Sequence, residues 1–233
     1  MGNKIINQLD PIFKPRSIAV IGASSITQKW GFRKLNQAIL SGYNGKIYPV
    51  NPRETNILGL QVYPNILNIP DSVDLAVITV PADAVPQAMR ECVQKGVKGA
   101  LVITAGFAET GEKGKKLQDK VVEIARKGNL RFIGPNMLGI WSAVSKLSLS
   151  STRPLKAGNI AFVSQSGTFG AHLAEKAVNK GIGLSKFISV GNQADLNVAD
   201  YIEYLGEDPD TRVIAIYIEG FPQGRRFFEI ASP

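Results

Sequence analysis

Five short apolar runs, separated by segments of helical periodicity, constrain this chain more than any other feature. They are Ser17–Ile21, Lys46–Val50, Leu75–Thr79, Ala100–Thr104 and Leu130–Ile133. Runs this short and this apolar read as strands buried on both faces of a parallel sheet. Between them lie the amphipathic segments Gly31–Ser41, Ala84–Lys95 and Glu112–Lys127. In the last of these, Leu117, Val121, Val122, Ile124 and Ala125 face one way while the lysines face out. The alternation predicts a doubly wound parallel α/β sheet with helices on both faces, Rossmann-like in kind. The serine-rich run Trp141–Gly158 interrupts it and reads as a crossover to a second domain. The pattern then restarts with strands at Asn159–Ser164, Leu184–Val190 and Arg212–Ile218 and helices at Gly167–Lys180 and Val198–Leu205. A last helix is expected near Gln223, so residues 1–145 and 146–233 divide as a full domain and an incomplete one.

Composition removes several functions. The chain holds one cysteine, Cys92, and one histidine, His172, among 233 residues, which excludes a disulfide framework and a Cys- or His-rich metal site. Cys92 has no base motif beside it and reads as a buried core thiol. The apolar runs, Leu75–Val80 among them, fall far short of the roughly 18 residues a membrane span needs, and the first residues carry no signal peptide, so a cytoplasmic protein is expected. Net charge is +8, but residues 1–150 hold 19 Lys+Arg against 10 Asp+Glu and residues 151–233 hold 8 against 9. The basic excess is scattered, with no Lys/Arg block interleaved with aromatics, which disfavours nucleic acid. A small molecule carrying phosphates suits it better.

The strand ends are where such a molecule would bind. Gly22-Ala23-Ser24-Ser25 follows the first strand, where a glycine lets backbone approach a phosphate and helix N-terminal amides attract it. The six-residue dinucleotide pattern is not met, because Ser24 and Thr27 stand at its later glycine positions. The second strand ends in Asn51-Pro52-Arg53 with no carboxylate at its tip, although Glu54 stands one step beyond Arg53 and can swing back. NAD is therefore disfavoured, and Arg53 suits a ribose phosphate, which NADP and coenzyme A both carry. Val80-Pro81-Ala82, Thr104-Ala105-Gly106-Phe107 and Gly134-Pro135-Asn136 close the other strands. Trp30, before a helix, is placed either to stack on adenine or to pack.

Taken together, Val20-Ile-Gly-Ala-Ser24, Tyr48-Pro-Val-Asn-Pro-Arg53, Val80-Pro-Ala82, Thr104-Ala-Gly-Phe107 and Ile133-Gly-Pro-Asn136 resemble one family. It is that of the nucleoside-diphosphate-forming acyl-CoA synthetases, which includes the succinyl-CoA synthetase α subunit and the ADP-forming acetyl-CoA synthetases. The resemblance runs on through Ser164-Gln165-Ser166-Gly167-Thr168, Val190-Gly-Asn-Gln193 and Tyr217-Ile-Glu219-Gly220. It implies a CoA-binding domain followed by a partial flavodoxin-like α/β domain. It also implies coenzyme A on Gly22, Ala23, Ser24, Ser25, Asn51, Pro52, Arg53, Val80, Pro81, Thr104, Ala105, Gly106 and Asn136.

A phosphate would sit on Ser166, Gly167 and Thr168, and Glu219 would orient a phosphorylated histidine. His172 does not fit that role, because a residue more than one turn into a helix cannot face that helix's own amides. By the resemblance, the nucleophile is expected after the next strand following Glu219, outside this chain. The implied reaction converts acyl-CoA, NDP (ADP expected) and phosphate to a carboxylic acid, NTP and CoA. It requires a nucleotide-binding β subunit or domain and a small acid or acyl phosphate, and an oligomer is expected. The alternatives are a CoA- or acyl-CoA-sensing module without catalysis, or an NADP-dependent oxidoreductase. Lys113, Lys115 and Lys116 read as a solvated helix face, and Arg225 and Arg226 open the last helix.

Overall fold

A computed structural model describes residues 2–151, 156–220 and 224–232. The chain opens on a helix, α1 (Gly2–Phe13), that buries Ile5, Leu9, Ile12 and Phe13 along one stripe. There follow β1 (Ser17–Ile21), α2 (Trp30–Leu40), β2 (Lys46–Val50) and a small hairpin of β3 (Asn56–Ile57) and β4 (Leu60–Gln61). Then come β5 (Leu75–Ile78), α3 (Val85–Lys95), β6 (Gly99–Val102), α4 (Glu112–Lys127) and β7 (Arg131–Ile133). The main strands form one sheet in the order β2-β1-β5-β6-β7, each pair parallel. Strand order reverses between β1 and β5, and a sheet of this kind takes its ligand outside the carboxyl ends of the strands at that point.

The second sheet is built from β8 (Ile140–Ser142), β9 (Leu147–Ser148), β10 (Ala157–Ser164), β11 (Leu184–Ser189) and β12 (Val213–Tyr217). Helices α5 (Gly167–Asn179), α6 (Val198–Gly206) and α7 (Gly224–Ala231) accompany it. Its order is β12-β10-β11-β8-β9, with β10 parallel to β11 and β12, and β8 antiparallel to β11 and β9. The run expected to be a plain crossover thus carries a hairpin, and Ile140–Ser142 joins the second sheet from within residues 1–145. Serines hid it: Ser142, Ser148 and Ser150 are buried there alongside Ile140, Trp141, Leu147 and Leu149. Residues 152–155 of that run, and Gln223, lie outside the described residues.

One core joins the two sheets. Val20, Leu35, Val77 and Leu101 pack in the same cluster as Ile140, Leu147, Val163, Ile188 and Tyr201. The other face of the first sheet is covered separately by α3 and α4, with Val85, Met89, Cys92, Val121 and Phe132 inside. Helix α1 straps the halves together, Phe13 stacking on Tyr204 at 5.0 Å while the Tyr204 hydroxyl donates to Asp10 at 2.9 Å. Lys34 is buried at the same seam. Its Nζ donates to the carbonyls of Leu138 and Leu149, both at 2.7 Å, and to Gln37 Oε1 at 3.1 Å. Among the described residues no helix is long and apolar enough to cross a membrane.

Candidate functional site

The geometry begins at the end of β1. Gly22 has φ +87°, and a Cβ there would lie 2.9 Å from Thr79 Oγ1 and 3.0 Å from a Val80 methyl. The Gly22 and Ala23 amides both donate to the Val50 carbonyl, which ties the turn to the tip of β2. A second glycine completes the junction: a Cβ on Gly31 would sit 1.9 Å from the Gly22 carbonyl oxygen. This close helix–strand approach is the job of the last glycine in the dinucleotide fingerprint. Here it falls nine residues after Gly22, so a search at fingerprint spacing lands on Thr27 and misses it.

A cleft of about 460 Å³ opens between the tips of β1, β5 and β6. Of the expected residues it is lined by Gly22, Ser24, Asn51, Val80, Pro81, Thr104 and Ala105. Gln28, Lys29, Trp30, Gly31, Thr79 and Ile103 complete the wall, and of these only Trp30 was singled out from sequence. The tips are cross-linked by side chains. Thr79 Oγ1 donates to the Ile21 carbonyl at 2.9 Å, Thr104 Oγ1 to the Val80 carbonyl at 2.7 Å, and Asn51 Nδ2 to the Ala23 carbonyl at 2.7 Å. Ala23 is itself buried, so it offers the site backbone only. Ser25, Pro52 and Arg53 are exposed beside the cleft rather than lining it. Gly106 belongs to a neighbouring hollow with Thr110, Lys113, Lys116 and Lys120. Asn136 stands apart at the tip of β7, its Nδ2 3.3 Å from Asn192 Oδ1.

Charge at the cleft is mixed. Lys29 lines it, and Trp30, 45% exposed, carries the Arg33 guanidinium 5.3 Å and the Lys34 ammonium 4.9 Å from its ring centre. Burial, with a smaller push from Arg33, pulls the Lys34 ammonium down to about 7. Glu54 does swing back to the first turn: the Ser25 amide donates to both its carboxylate oxygens, at 3.1 and 3.0 Å. Burial pushes this carboxyl up, but hydrogen bonds from Ser25 and Ser24 and the Lys29 charge outweigh it and hold the group below its ordinary value.

The second set of expected residues gathers at the carboxyl edge of the other sheet. Ser166 caps α5, its Oγ accepting from the Phe169 amide at 3.3 Å, with Gly167 and Thr168 in the first turn. Gln165 Oε1 accepts from the Glu219 amide at 2.9 Å, which brings Glu219 beside the start of α5 with its side chain exposed. His172 lies farther along α5, exposed, in the middle of the helix. Cys92 is fully buried and burial pushes its thiol up, as a core cysteine requires.

A hydrogen-bonded path connects the two places. Glu109 Oε1 accepts from the Gly106 and Phe107 amides, at 2.6 and 3.1 Å, and its other oxygen accepts from Asn192 Nδ2. The Asn192 amide donates to the Pro135 carbonyl and the Val190 amide to the Ser164 carbonyl, both at 2.9 Å. Sequence reading passed over Glu109, which carries no motif of its own. Among the described residues no cluster of three or more His, Cys, Asp or Glu is placed to hold a metal ion.

Comparison with known proteins agrees with this geometry. Residues 16–142 match the family model of the CoA binding domain, and residues 157–233 that of the succinyl-CoA ligase like flavodoxin domain. The α subunit of acetate–CoA ligase [ADP-forming] II from Pyrococcus furiosus is 49% identical over 225 residues, covering 96% of this chain and 49% of that protein. The crystal structure of PH0766 from Pyrococcus horikoshii superposes with a TM-score of 0.92 at 44% identity, over 96% of this chain and 51% of that one. The acetyl-coenzyme A synthetase 1 of Ca. Korarchaeum cryptofilum, solved with phosphate and ADP, gives 0.91 at 41% identity over 97% and 49%. The chain therefore spans about half the length of these α-subunit relatives. The strand-tip cleft, the two-sheet architecture and both domain matches assign the chain to the NDP-forming acyl-CoA synthetase family.

Proposed function

We propose that the chain is the CoA-binding part of an ADP-forming acyl-CoA synthetase, with coenzyme A held in the cleft at the tips of β1, β5 and β6. The observation that carries this reading is the cleft itself, at the switch point of the sheet and lined by Gly22, Ser24, Asn51, Val80, Pro81, Thr104 and Ala105. The pyrophosphate sits beside the Gly22–Ser25 turn at the N-terminus of α2, where the first-turn amides of that helix carry no side-chain cap and, with Lys29, supply positive potential. Arg53 takes the ribose phosphate, and Trp30 offers a face to adenine. The pantetheine arm runs past Thr104–Gly106 toward Asn136 and the junction with the second sheet.

In this reading the N-terminus of α5 at Ser166–Thr168 holds a phosphoryl group, and Glu219 orients the histidine that carries it. That histidine and the nucleotide-binding β subunit or domain are supplied from outside these 233 residues. Domains are drawn at 1–145 and 146–233, with the β8–β9 hairpin lending strands across that line. The working protein is a cytoplasmic oligomer acting on a small carboxylic acid or acyl phosphate. The test is calorimetry of the chain with coenzyme A, dephospho-CoA and NADP. Coenzyme A is expected to bind at micromolar concentration and dephospho-CoA about 10-fold more weakly, the loss of one charge-assisted phosphate contact. Tight NADP binding with none of coenzyme A contradicts the reading.

A further inference from the structure

We infer that Glu54 decides which phosphorylated ribose the cleft accepts, taking a free 2′-hydroxyl and refusing a phosphate at that carbon. The inference rests on the placement of coenzyme A proposed above. In a sheet of this order the ribose of a nucleotide bound at the first turn lies at the tip of the neighbouring strand, β2. Glu54 follows that tip, and it is fixed there: the Ser25 amide donates to both its oxygens and Asn51 Nδ2 approaches one of them at 3.4 Å. An ionised carboxylate has about four lone-pair positions, and the Ser24 and Ser25 hydroxyls that draw on them can rotate to leave one for a sugar hydroxyl. It has no proton to give a phosphate, and its charge repels one.

The residue beside it carries the complementary charge. Arg53 is exposed, and among the described residues its guanidinium pairs with no carboxylate, while its amide donates to Asn51 Oδ1 at 2.8 Å. Two adjacent residues thus present a fixed acceptor and a free cation to one ribose. That pair matches a sugar with a hydroxyl at the 2′ carbon and a phosphate at the 3′ carbon, which is coenzyme A. It mismatches the reverse arrangement, a 2′-phosphate with a free 3′-hydroxyl, as in NADP. The same bidentate contact has an opposite interpretation, in which Glu54 stands in for the ligand's phosphate on the Ser25 amide and must be expelled before anything binds. The two differ in the sign of the effect of removing the charge.

Calorimetry of the intact chain with coenzyme A and with its isomer phosphorylated on the 2′ oxygen separates them, since the isomers share every other group. Wild type is expected to prefer coenzyme A at least 10-fold. Glu54→Gln is expected to weaken coenzyme A about 5-fold and to shrink the preference between isomers below 3-fold, with its melting temperature within a few degrees of wild type. Equal binding of both isomers to wild type overturns the inference and leaves the CoA reading standing. Tighter binding of coenzyme A by Glu54→Gln overturns it in favour of an expelled plug. If neither isomer binds wild type, the placement of coenzyme A falls, and the inference with it.

Discussion

The two sheets solve the same packing problem in different ways. A parallel strand must be covered on both faces, because the crossovers that connect parallel strands lay helices over each side. The first sheet meets this locally. Strands β1, β5 and β6 are buried from end to end, with α3 and α4 on one face and α1 and α2 on the other. The second sheet is extended by the β8–β9 hairpin, and it has α5 over one face but shares the core on its other face with the first sheet. At its edge β12 alternates exposed and half-buried residues, with Val213 53% and Tyr217 37% exposed. Local closure gives the first sheet a fixed set of strand tips and a cleft among them. The second sheet has its tips set by ties to the first, through Asn192, Arg131 and Lys34.

The largest expected effect breaks the local closure. Gly31→Ala places a methyl 1.9 Å from the Gly22 carbonyl oxygen, against backbone that cannot rotate away. Such overpacking costs about 3 kcal/mol, and calorimetry should show coenzyme A binding reduced more than 10-fold. The contrasting substitution lies in the second region: a Cβ on Gly206 meets nothing within 4 Å. Gly206→Ala is expected to leave binding unchanged and to raise stability by about 0.5 kcal/mol in urea denaturation.

Next comes the tie between the regions. Arg131 Nε donates to Asp195 at 2.9 Å and its Nη1 to Gln8 at 2.8 Å, with the guanidinium mostly covered. Arg131→Leu removes the cation from a largely buried carboxylate, which keeps only the Phe132 amide on that oxygen, and is expected to cost about 2 kcal/mol, between the values for surface and buried pairs. Calorimetric melting should broaden or divide as the second sheet loosens first. A sharp single transition at the wild-type temperature would show that the tie is idle.

A smaller effect sharpens the first region by pH. Asp74 is buried under Arg16 and Lys98, with ion pairs of 3.1 and 2.9 Å. Burial pushes its carboxyl up, but hydrogen bonds from Arg16 and Lys98 outweigh this and bring it to about 2. A carboxyl depressed on folding adds stability above its unfolded value near 3.8 and loses it as pH falls through about 2. Asp74→Asn should therefore cost about 1–2 kcal/mol at pH 7. Denaturation curves of variant and wild type should converge between pH 4 and pH 2. Ser166→Ala removes the α5 cap and should cost about 1 kcal/mol without altering coenzyme A affinity.

The same contrast explains what could be read from the sequence. The strands and helices of the first sheet are local units with local periodicity, and β1, β2 and β5 lie within a residue of the apolar runs that mark them. Seven cleft residues were legible because they occupy strand ends, a position that periodicity defines. What was missed depends on contacts across long separations. Helix α1 buries Ile5, Leu9 and Ile12 at helical spacing, a signal that was present but masked by Pro11 inside it. The β8–β9 hairpin reads as polar because its serines face inward. Lys34 looks like any surface lysine, and its partners lie 104 and 115 residues away. Gly31 was legible in principle, as a second glycine at a helix start, but at a spacing longer than the fingerprint searched for. Glu109 has no sequence signal, since its long-range partner Asn192 stands in the turn after β11.

In the proposed reading the first sheet's strand tips, and not the second's, hold coenzyme A. Amide hydrogen exchange of the full chain with and without coenzyme A tests it most directly. Protection is expected at Gly22–Ser25, Asn51–Glu54 and Thr104–Gly106, with little change at Gly167–Phe169. Protection confined to the start of α5, or spread evenly over the second sheet with none at Gly22–Ser25, would contradict it.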